Sequence, residues 1–126
     1  MPSLLIDSPA CPPKTPPSER PLLRKDSAAE WARLFEVLAS ETRLRLLHAL
    51  MILEDPCMGD LAQAVGMKPQ AVSNQLRRLV EVGILATRRH GNHIHDRIVD
   101  VCVTRLFDHG LCLNEKRQKH LAGTRP

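Results

Sequence analysis

Between Cys57 and Val99 the chain is punctuated in a way that few folds satisfy. A short run from Cys57 to Val65 places Leu61, Ala62 and Val65 on one side and stops at Gly66, a residue suited to the left-handed conformation that closes helices. Pro69 opens a second run, where a proline costs little because the first helical N–H has no partner to lose. Val72, Leu76, Leu79 and Val80 recur in it at helical spacing, leaving Gln70, Ser73, Asn74 and Arg77 on the opposite side until Gly83 ends the pattern. Two aliphatic and β-branched runs follow, Ile84 to Arg89 and Ile94 to Val99, separated by His90-Gly91-Asn92-His93, a turn signal that makes them a hairpin. Two short helices joined through a glycine, the second apolar behind and polar in front, followed by a basic hairpin, are the order of a winged helix-turn-helix.

The flanks extend this plan. Trp31, Leu34, Phe35 and Leu38 predict an amphipathic helix over about residues 27–38, with Asp26 or Ser27 as N-cap. Ser40 caps another, in which Leu44, Leu47, His48 and Met51 are expected to share a face while Arg43 and Arg45 point elsewhere, up to the stop at Glu54-Asp55-Pro56. From Asp100 the pattern is helical again, with Val103, Leu106 and Phe107 on one side. The fold class is therefore mainly α, about five helices with a β-hairpin wing. Residues 1–25 hold seven of the ten prolines and read as an extended arm, 26–116 as the folded domain, and 117–126 as a polar, frayed tail.

Charge points the same way. The net charge is +4, and residues 68–97 carry six basic side chains against two acidic ones, so the rest of the chain is balanced. A positive field on one contiguous third suits a polyanion, because each Lys or Arg set on a phosphate releases counterions. The second helix fits a major groove, with Lys68, Gln70, Ser73, Asn74 and Arg77 placed for base edges and phosphates, while Arg88, Arg89 and Arg97 of the hairpin hold the backbone. An enzyme is not expected. The chain has no GxSxG, no glycine-rich phosphate loop, no HExxH and no paired carboxylates on a shared face. With aromatic residues at 2%, aliphatic side chains must build a modest core, which argues against a cavity for a small organic substrate. Neither a membrane span nor a basic-then-apolar leader is legible, so the expected location is the cytoplasm. There, Cys11, Cys57, Cys102 and Cys112, with no CxxC among them, are expected as thiols or metal ligands rather than structural disulfides.

The segment Leu38-Ala39-Ser40-Glu41-Thr42-Arg43-Leu44-Arg45-Leu46-Leu47 resembles the second-helix signature of the ArsR/SmtB family of metal-responsive repressors. Ala71-Val72-Ser73-Asn74-Gln75-Leu76-Arg77-Arg78-Leu79 and the following Val82-Gly83-Ile84-Leu85 are similar to that family's recognition helix and its exit, and the likeness runs over about residues 28–112. It implies a homodimer paired through its first and last helices, seated on a two-fold operator in double-stranded DNA and released when a ligand binds. Two sites are implied. Cys57-Met58-Gly59-Asp60 keeps the first Cys and the Asp of a Cys-x-Cys-Asp pattern, to which Cys11 on the arm would add a thiolate. Asp100 and Cys102 match the first pair of a site across the last helices, with His109 and Cys112, spaced i, i+3, as the second and Asp108 as a substitute. Sulfur-rich ligands point to Hg(II), Cd(II), Pb(II), As(III) or Zn(II), and away from Mg(II) or Ca(II). Two alternatives keep the fold: a repressor that senses thiol oxidation through Cys57, Cys102 or Cys112, and a winged helix used only for protein contacts.

Overall fold

The computed structural model describes residues 15–123. After a single 3-10 turn at Pro17–Glu19 come helices α1 (Lys25–Leu38), α2 (Glu41–Ile52), α3 (Met58–Val65) and α4 (Pro69–Glu81). Strands β1 (Leu85–His90) and β2 (His93–Ile98) form an antiparallel hairpin, and α5 (Val101–Gly123) closes the chain. This is the expected winged helix-turn-helix with five helices.

The core lies where α2, α3, α4 and the base of the hairpin meet. Leu46, Leu47 and Leu50 from α2, Leu61 from α3, Val72, Leu76 and Leu79 from α4, and Leu85 with Ile98 from the strands are all essentially without solvent contact. Each such aliphatic side chain contributes about 1.5–3 kcal/mol by leaving water. The joints are those the sequence specifies: Ser40 Oγ accepts the Arg43 N–H at 3.3 Å, and Gly66 ends α3 at φ +71°. Gly91 sits at φ +60° in the hairpin turn. That turn is tighter than expected, since His90 and His93 are already a strand pair and only Gly91 and Asn92 are left between them.

Four expectations need correction. Helix α1 starts at Lys25 with Arg24 at its N-cap, so Asp26 lies inside the first turn, where its carboxylate bonds the Ser27 N–H and pairs with Arg24 at 3.0 Å. On α2 the inward face is Leu46, Leu47, Ala49 and Leu50, whereas Leu44 remains 41% exposed. Helix α5 continues to Gly123, so residues 117–123 are helix and not tail, with Arg117 bonding Asn114 one turn back. Finally, the stretch read as an extended arm contains the Pro17–Glu19 turn, which proline can open for the same reason it can open a helix.

Candidate nucleic-acid interface

Helix α4 is set by its apolar back. Val72, Leu76 and Leu79 are buried against α2, α3 and β1, which leaves Gln70, Asn74 and Arg77 exposed and Ser73 half-buried on the outer side. Lys68 stands exposed at the N-cap, without a side-chain cap. Gln70 Nε2 donates to Asn74 Oδ1 at 3.3 Å, so the two amides lie one above the other on the outer face. Between this face and the hairpin lies an open cleft of about 540 Å³, to which Gln70, Ser73, Arg77, Thr87 and Asp96 contribute. Ridge, cleft and hairpin together make a concave surface with amide, hydroxyl and guanidinium groups, the chemistry that reads base edges and holds phosphates.

The hairpin does not present its arginines as one patch. In the observed register Thr87 faces Asp96, Arg88 faces His95 and Arg89 faces Ile94. Alternation along strands therefore puts Arg88 and Arg97 on one side and Arg89 on the other, with Arg88 and Arg89 exposed and Arg97 half-buried. Asp96 is buried and accepts the Thr87 hydroxyl at 2.8 Å, which closes the strand pair behind the cleft. His95 anchors the hairpin to the body: its Nδ1 lies 3.2 Å from the Pro56 carbonyl and 3.3 Å from Asp55 Oδ1. His90 and His93, the last pair before the turn, pack near its ring, so these imidazoles form a cluster toward the tip of the wing.

The expected ligand residues fall in separate places. Cys57 is half-buried at the N-cap of α3. There Asp60 Oδ2 accepts its backbone N–H at 3.0 Å, and that bond, with a second from the Cys57 side chain, holds the Asp60 carboxyl below its ordinary value of 3.8. Cys57 is thus engaged in starting a helix. Cys11 lies outside the described residues. At the start of α5, Asp100 Oδ1 accepts the Cys102 N–H at 2.8 Å as an N-cap. Cys102, expected as a thiol, is disulfide-bonded, whereas Cys112 is free and exposed. Burial along α5 sorts Val103, Thr104 and Phe107 inward and Cys102, Leu106, His109, Cys112 and Leu113 outward. Cys102 and Cys112 therefore share the outer stripe but stand about 15 Å apart at 1.5 Å per residue. Asp108 is exposed. Among the described residues, no three His, Cys, Asp or Glu side chains converge on a metal position within one protomer.

Sequence reasoning missed the part that Arg43 and Arg45 play. Arg45 Nη1 reaches the Val65 carbonyl at 3.3 Å, and Arg43 bonds both Val37 O and Gln75 Oε1. Nothing in an i, i+3, i+4 pattern marks a long polar side chain that folds back along the protein surface.

Comparison with known proteins agrees with this geometry. Residues 40–87 match the family described as "Bacterial regulatory protein, arsR family". The chain is similar to the HTH-type transcriptional regulator NmtR of Mycobacterium tuberculosis, 34% identical over 82% of this chain and 86% of that one. It is also similar to the crystal structure of the AntR antimony-specific transcriptional repressor, with 54% identity, a TM-score of 0.71, and coverage of 87% of this chain and 99% of that one. A third likeness is to a homodimeric winged helix-turn-helix DNA-binding domain from Mycobacterium bovis, a possible ArsR-family regulator, at 27% identity and TM-score 0.68 over 80% of this chain and 95% of that one. With a helix-turn-helix and wing in place and the likeness running through both, the chain belongs to the ArsR family of bacterial regulatory proteins and is a DNA-binding transcriptional regulator, not an enzyme.

Proposed function

We propose that the protein is a cytoplasmic, homodimeric repressor that leaves its operator when a thiophilic metalloid or metal ion is held by cysteines of α5. The observation that carries this reading is the outer stripe of α5. Cys102 and Cys112 lie on it too far apart to chelate one ion within a protomer, but two antiparallel copies of the helix crossing near Phe107 would bring Cys102 of each beside Cys112 of the other. Exposed Leu106 and Leu113 on the same stripe supply the apolar contact such a crossing needs. His109, between the cysteines, is a further donor, and Asp100 orients the first turn of the helix.

The likeness to an antimony-specific repressor favours a trivalent metalloid, Sb(III) or As(III), over Hg(II), Cd(II), Pb(II) and Zn(II) as the effector. Thiolates match such soft ions, and their binding displaces thiol protons. Release follows by linkage: an ion that binds the dimer's weak-binding arrangement better than its DNA-competent one lowers operator affinity by the same factor. In DNA binding, Lys68, Gln70, Ser73, Asn74 and Arg77 read and position on α4, and Arg88, Arg89 and Arg97 hold phosphates from the wing.

The test is direct. Reduced protein titrated with antimonyl tartrate should develop sulfur-to-ion charge-transfer absorbance and lose titratable thiols, and Cys102→Ser or Cys112→Ser should each abolish most of both signals. Retention of the signal in both variants, with its loss in Cys57→Ser, would move the site to α3. The disulfide at Cys102 favours a second reading, in which peroxide takes two electrons and two protons from a thiol pair, forming water and a disulfide that alters operator binding. Peroxide-driven release in metal-free buffer, with no response to any ion, would select it.

A further inference from the structure

One side chain joins the two ends of the DNA-binding body. Arg43, in the first turn of α2, is part-buried, and its Nε donates to the Val37 carbonyl of α1 at 2.6 Å. Its Nη1 donates to Gln75 Oε1 of α4 at 2.8 Å, across thirty-two residues of sequence. Both ends of this bridge have a physical reason to hold. The Val37 carbonyl belongs to the last turn of α1, where no following helical N–H can reach it and the helix end is negative, so a guanidinium is a favoured partner. Arginine's planar fork offers Nε and Nη1 to two separate acceptors in fixed directions, whereas a lysine's three donors share one rotatable nitrogen. The backbone N–H of Arg43 is in turn held by Ser40 Oγ, so the bridge starts from a fixed point.

Gln75 sits half-buried on the side of α4 next to the reading face, immediately after Asn74. Its carbonyl is committed to Arg43, and the rotation of α4 about its own axis is thereby tied to α1. Val37 itself is buried in the core, so the anchor at the α1 end does not move with solvent.

We propose that Arg43 is a positioning residue which, through Gln75, fixes the recognition helix relative to α1 and so sets the half-site spacing the dimer accepts. The inference rests on the dimeric, operator-binding reading above. Trp31 and Phe35 leave an exposed aromatic face on α1; in a two-fold dimer that pairs there as well as through α5, the distance between the two α4 helices depends on how rigidly each is held to its own α1. Operators are then selected by spacing as well as by bases. Arg43 touches no base in this scheme; it acts through Gln75.

The experiment uses the full-length protein and the duplex it footprints upstream of its own gene, alongside the same duplex with one base pair inserted between half-sites. Wild-type protein should prefer the native spacing. Arg43→Lys, which keeps the charge, and Gln75→Leu, which removes the acceptor, should each shrink that preference by about tenfold, the scale of one charge-assisted hydrogen bond. The double variant should be no worse than the weaker single variant, because both remove one interaction. Dimer mass and affinity for unrelated DNA should stay near wild type, while the thermal midpoint falls by about 4–8 °C for each kcal/mol the lost bond contributes to folding. Wild-type spacing preference retained in both variants would overturn the tie alone. Equal binding of both duplexes by wild type would overturn the dimeric reading and the inference with it. A reduced salt dependence in Arg43→Gln, which removes the charge, would show that Arg43 meets a phosphate itself, which also overturns it.

Discussion

Helices α4 and α5 are both amphipathic, yet they are held in opposite ways. In thirteen residues α4 places three side chains at 1% exposure or less, and its outer face is left free to meet a ligand. In twenty-three residues α5 buries none completely. Val103 and Phe107 touch the core, with Phe107 stacked on His48 of α2 at 5.6 Å, while Leu106, Leu111 and Leu113 stand 40–67% exposed. Helix α4 therefore takes its position from its own protomer. The last helix carries more apolar surface than its own protomer covers among the described residues, which suits an element completed by a second copy.

That contrast can be broken by mutation. The largest effect is expected for Leu76→Ala at the back of α4, which removes a fully buried side chain and should cost about 2–5 kcal/mol in urea unfolding. The matching change on α5, Leu113→Ala, should leave a monomer's unfolding almost unaltered, because that side chain is mostly in water. A loss for Leu113→Ala as large as for Leu76→Ala, at concentrations where the chain is monomeric, would erase the distinction.

Next in size comes the outer face of α4. Arg77→Ala should weaken operator binding by about 1–3 kcal/mol with no change in the circular dichroism of the free protein. Unchanged operator affinity would remove Arg77 from the interface. Leu113→Glu is expected to act on assembly instead, shifting the dimer toward monomer by about tenfold or more in sedimentation equilibrium while leaving the hairpin and α4 intact.

How much of this was legible in the sequence differs between the same two regions. The stripe of α4, the Gly66 stop and the Pro69 start each have a single physical solution, and the structure adopts it. Helix α2 is different. Leu44, Leu46, Leu47, Leu50, Met51 and Ile52 surround it nearly all the way, so spacing alone could not choose the inward face, and tertiary packing selected Leu46 and Leu50 over Leu44 and Met51. The end of α5 was misread because Asn114 to His120 is polar, yet no proline interrupts it and residues with good helix propensity carry it on to Gly123. For the cysteines, the sequence offered four sulfurs and the fold distributes them: Cys57 into a helix cap, Cys102 and Cys112 onto one stripe of α5. Which ion is sensed was not legible, since thiolate softness alone does not separate one thiophilic ion from another.

The smallest effect concerns the cap of α3. Because hydrogen bonds from Cys57 hold the Asp60 carboxyl below 3.8, the charged cap stabilises the fold above that pH, and its contribution is lost as the pH falls through the lowered folded-state value. Asp60→Asn should therefore lower the thermal midpoint slightly at neutral pH, and the gap from wild type should close below pH 3.8. A gap that persists unchanged in acid would show that the carboxylate's charge is not what the cap uses.

The central claim is that DNA is read at α4 and the signal is received at α5. Fluorescence anisotropy of reduced wild-type and Cys112→Ser protein on the upstream duplex, with and without antimonyl tartrate, tests it most directly. The account predicts equal affinity for both proteins without the ion and, with it, release of wild type but not of the variant. Release of both to the same extent would contradict the claim, because the signal would then arrive somewhere other than the outer stripe of α5.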